Sequence, residues 1–67
     1  MDLDILEVFK TRMGVANFQF HLLKEDVVKE NLALAMIDVK YLIETLQNLE
    51  KDLLKDYNKQ DGGIDVN

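Results

Sequence analysis

The stretch Val28–Leu53, VKENLALAMIDVKYLIETLQNLEKDL, decides the fold. Steps of alternating fours and threes through it land on Val28, Leu32, Ala35, Val39, Leu42, Leu46, Leu49 and Leu53, every one apolar. On a helix of 3.6 residues per turn that spacing draws a stripe down one face. A matching ladder precedes it, through Leu6, Phe9, Met13, Ala16, Phe20, Leu23 and Val27. The two ladders do not merge: the phase slips by one residue between Val27 and Val28. Polar triplets, Lys24-Glu25-Asp26 and Lys29-Glu30-Asn31, flank the slip. The pattern predicts an all-α fold, a two-helix antiparallel hairpin spanning about residues 2–24 and 27–57. Residues 1–57 then form one helical domain, and 58–67, which lack a helical period, form a flexible tail.

Local signals agree. There is no proline to interrupt the chain, and glycine occurs only at positions 14, 62 and 63. Asp2, Asp4 and Glu7 crowd the start of the first helix and Lys51, Lys55 and Lys59 the end of the second, as the helix dipole favours. Either Asp26 or Asn31 can cap the second helix, and Asp26 is preferred because Val27 and Val28 would then open its apolar face. Two features run against the pattern. Phe18-Gln19-Phe20-His21-Leu22 alternates like a strand, although a lone strand could pair only with another copy of itself. Gly14 weakens a helix interior by about 1 kcal/mol, which close approach of a neighbouring helix or, failing that, a kink would explain.

Composition closes off whole classes of function. With 67 residues the chain buries little surface, and with no cysteine it has neither disulfides nor thiolate metal sites to compensate. A single histidine makes a self-contained zinc site improbable. Eight Lys plus Arg against 13 Asp plus Glu, a net charge of −5, disfavours nucleic acid and anionic membrane surfaces as partners. No apolar run reaches a membrane span and the N-terminus lacks a basic leader, so a cytoplasmic location is expected. No cofactor or metal is implied.

Catalytic chemistry finds little to build on. His21 and Glu25 are one helical turn apart, but the Glu-x-x-His pairs of helical metal sites are missing. Asp56-Tyr57-Asn58 and Asp61-Gly62-Gly63-Ile64-Asp65 resemble a calcium loop with one residue too many before the glycine and no Glu to close it. The chain has no serine, and Thr11 and Thr45 have no adjacent base.

What the sequence has in excess is apolar surface. Beside the second ladder lie Leu34, Met36, Ile37, Tyr41, Ile43, Leu54 and Tyr57, more than one neighbouring helix can cover. An apolar surplus of this kind marks an interface. The expectation is a homodimer or other homo-oligomer, two hairpins forming a four-helix bundle, with Leu6, Phe9, Met13, Phe20, Leu32, Ala35, Met36, Val39, Leu42, Ile43, Leu46, Leu49 and Leu53 at the interface. The function expected is a non-enzymatic interaction or structural module. The alternative is a small acidic regulator, antitoxin-like or phage-encoded, that binds an enzyme or a basic protein surface.

Overall fold

The computed structural model describes residues 3–60, which form two helices, α1 (Leu3–Val28) and α2 (Leu32–Gln60), packed against each other as an antiparallel hairpin. No strand occurs among the described residues, and Phe18–Leu22 lies inside α1. Both helices run past their predicted C-terminal limits, α1 by four residues beyond position 24 and α2 to Gln60 rather than Tyr57, while α2 starts at Leu32, five residues later than expected. The rest of the expected tail, 61–67, lies outside the described residues.

The connection departs most clearly from the sequence reading. Asn31, not Asp26, caps α2: its Oδ1 accepts the Leu34 N–H at 3.3 Å and its carbonyl accepts the Ala35 N–H at 3.0 Å. Asp26 is still inside α1, where its carbonyl accepts the Asn31 N–H at 2.8 Å. The Glu30 N–H bonds the Val27 carbonyl at 3.0 Å, and Glu30 adopts φ 60°. These two bonds around a left-handed residue are a Schellman ending. Asn31 thus closes one helix with its backbone and opens the next with its side chain, which keeps the turn to three residues, 29–31.

The hairpin is a single layer, with a Cα trace of 48 × 25 × 11 Å. Stable domains bury the apolar sides of their elements between two layers or more. Here the only buried apolar residues described are Phe9, Ala16 and Ala35. One large side chain and two alanines fall far short of a core.

Candidate interaction surface

The seam between the helices can be read from burial alone. On α2 the covered residues are Ala35, Asp38, Leu42, Thr45, Leu49, Asp52 and Asp56, again spaced by threes and fours. On α1 the corresponding line is Ile5, Phe9, Arg12, Ala16, Gln19, Leu23 and Asp26. Only alternate rungs of the apolar ladders belong to it: Phe9, Ala16 and Leu23, and Ala35, Leu42 and Leu49. The other positions in the seam are mostly polar. Arg12 Nε donates to Asp52 Oδ2 at 2.7 Å, with both side chains about a third exposed. The Asp26 and Asp38 carboxyl groups meet across the seam. Both pairs obey one register, in which Gln19 falls level with Thr45. The Gln19 Oε1 and Asp38 Oδ2 atoms are shut off from solvent with no donor to accept from.

The remaining rungs stand outside the seam. Met13 (50% exposed), Phe20 (48%) and Val27 (51%) on α1, and Leu32 (64%), Leu46 (47%) and Leu53 (45%) on α2, are open to water. Val39 is exposed to a lesser degree, and Leu6 is half-covered. Each of these rungs except Leu6 and Leu32 directly follows a polar seam residue: Met13 follows Arg12, Phe20 Gln19, Val27 Asp26, Val39 Asp38, Leu46 Thr45 and Leu53 Asp52. One residue further is about 100° further around a helix. Because the helices run antiparallel and face each other, the same sense of rotation carries both sets to one side of the hairpin. The eight rungs therefore make a continuous apolar face, Leu6, Met13, Phe20 and Val27 beside Leu32, Val39, Leu46 and Leu53. Met36 and Ile43 of α2, 73% and 48% exposed, extend its edge. Lys24 Nζ lies 5.5 Å from the Phe20 ring centroid, a cation against the ring at the opposite edge.

Thus, of the residues expected at an interface, Phe9, Ala35, Leu42 and Leu49 line the hairpin's own seam and Leu6 borders it. Met13, Phe20, Leu32, Met36, Val39, Ile43, Leu46 and Leu53 are left uncovered. The polar seam does not show in the apolar ladders. Its signal was present as two runs of polar residues at heptad spacing, Arg12, Gln19 and Asp26, and Asp38, Thr45 and Asp52.

Elsewhere the surface offers little chemistry. The His21 imidazole and Glu25 carboxylate are 3.1 Å apart on the exposed side of α1. Among the described residues no group of three or more His, Cys, Asp or Glu could hold a metal ion, and no helix is long and apolar enough to cross a membrane. An open groove of about 450 Å³ on the flank opposite the apolar face is lined by Glu7, Val8, Thr11, Arg12, Val15, Thr45 and Asn48, a set without a paired nucleophile and base. Gly14 has nothing within 4 Å of where a Cβ would stand, so no neighbour among the described residues requires it.

No protein-family model matches the chain, and no significant similarity links it to a curated protein or to a solved structure.

Proposed function

We propose that this chain is a non-enzymatic helical module that self-associates, two hairpins stacking by their apolar faces into a four-helix bundle that serves as a structural or protein-interaction unit. The observation that carries the reading is the offset between the ladders and the seam. On each helix the ladder axis is rotated from the seam by roughly 50–60°, at 100° per residue, and on both helices towards the same face. In a square four-helix bundle the central axis lies about 45° from the direction to each neighbouring helix. The ladders therefore point where the axis of a bundle would run, not at the partner helix of the hairpin. A two-fold axis makes one face complementary to itself, which suits a single chain with one such surface.

Sedimentation equilibrium at micromolar concentration tests this. The expected mass is twice the 7.8 kDa chain, with a melting temperature that rises with protein concentration. A monomer that melts cooperatively at a concentration-independent temperature overturns it. A monomer that gains helix only on adding a second protein transfers the face to that partner, in line with a regulatory role.

A further inference from the structure

We infer that the aspartate pair across the seam makes self-association proton-linked, so that the dimer tightens on acidification. The inference rests on the self-association reading and concerns its regulation. Asp26 on α1 and Asp38 on α2 come from opposite helices and meet at the turn end of the hairpin. Both are partly covered, and Asp38 Oδ2 is out of solvent with no donor. Two carboxylates can only accept hydrogen bonds, so contact between them is satisfied only when one carries a proton to donate. Among the described residues no salt bridge to a cation offsets the pair. The charged residues closest along the chain, Glu25, Lys29 and Glu30 on one side and Lys40 on the other, are all exposed, and the neighbouring seam residues Leu23, Ala35 and Leu42 are apolar. The Arg12–Asp52 pair stands two heptads away in the same seam with its charges matched.

The hydrogen bond to Asp26, the covering of the group and the repulsion from its neighbour all raise the Asp38 pKa above the ordinary carboxylate value of 3.8. The sign of the linkage follows. A group with a raised folded-state pKa stabilises the fold fully below its unfolded value, and that contribution is lost as pH rises through the folded value. Because the single-layer hairpin has almost no core of its own, the seam and the bundle form together, and a proton taken up by the seam favours the dimer.

The test is the dimer dissociation constant, by sedimentation equilibrium from about pH 4, near the ordinary carboxylate value, up to about pH 7.5, for the intact chain and for Asp38→Asn, Asp26→Asn and Glu44→Gln. Either asparagine supplies a neutral N–H donor where the shared proton would sit. With at most one proton per chain, the wild-type constant falls by up to about a hundredfold per pH unit of acidification. Asp38→Asn and Asp26→Asn should be tight at the higher pH and markedly less pH-dependent. Glu44→Gln, an exposed carboxylate outside the seam, should keep the wild-type slope. Both asparagine variants retaining the full wild-type slope, or dissociating at both ends of the pH range, overturn the proton linkage while leaving the dimer standing. A chain that is monomeric at every pH overturns the self-association reading and the linkage with it.

Discussion

Glu30 holds a backbone conformation that only glycine adopts without strain, φ 60°, at the point where the chain leaves α1. The left-handed region costs an L-residue roughly 1–2 kcal/mol, and among the described residues the exposed Glu30 side chain makes no hydrogen bond or ion pair to offset it. Glu30→Gly should therefore stabilise the hairpin by about 1 kcal/mol, read as a higher midpoint in urea with an unchanged slope. The same residue explains why the position of the turn is poorly marked in the sequence. A helix end normally announces itself by glycine, and a glutamate there carries no such mark, so Asp26, with Val27 and Val28 after it, reads as a better cap than Asn31. Gln19 supplies a second case. Its Oε1 is buried without a donor, and a buried unsatisfied acceptor costs about 1–3 kcal/mol. Gln19→Leu removes the acceptor and adds apolar surface to the seam between Ala16 and Leu23. A gain of about 1 kcal/mol or more in chemical denaturation is expected, and a loss would show that the amide has a partner in the assembled protein.

Each helix carries two stripes, and only one of them was legible. The apolar ladders gave the presence, number and approximate extent of the helices because periodicity needs nothing beyond the order of residues. They did not give the seam, because an unbroken apolar ladder looks the same whether it faces one neighbour or the axis of a bundle. What separates those cases is the polar line running beside it, Arg12, Gln19 and Asp26 against Asp38, Thr45 and Asp52, and polar residues at heptad spacing read by default as solvated. The ion pair between Arg12 and Asp52, far apart in sequence, exists only once the helices are antiparallel and in register. Gly14 shows the converse. Its place in a helix interior suggested a close neighbour, yet space is open around it within the hairpin. Gly14→Ala should then add about 1 kcal/mol through helix propensity alone. A weaker dimer in that variant, measured by sedimentation beside the melt, would instead show a partner helix crossing at that point. At the start of α2, Asn31→Ala removes the side-chain cap and should cost about 0.5–2 kcal/mol in the same melts.

As a whole the molecule is a single layer of two helices. A layer one helix thick can shelter residues along one line only, and that line is mixed polar and apolar, while the face beside it is apolar at all eight rungs. In an isolated hairpin those rungs are surface positions, where substitutions change stability by no more than about 0.5 kcal/mol. In a bundle they are core positions, where an unpaired carboxylate cannot be accommodated. Leu46→Asp separates the two situations better than Leu42→Asp would, since Leu42 lies in the seam and its loss would disrupt the hairpin in either case. Leu54→Asp is the matched control, a leucine somewhat more exposed, 58% against 47%, and about 100° further around α2 than the face residue Leu53. Sedimentation and circular dichroism at micromolar concentration should find Leu46→Asp monomeric with most of its helix lost, and Leu54→Asp dimeric and folded. If both variants keep the wild-type mass and helicity, the face is not where two copies meet. If Leu54→Asp alone dissociates, the copies join through the outer side of α2, and the offset of ladder from seam loses its meaning as the mark of a bundle axis.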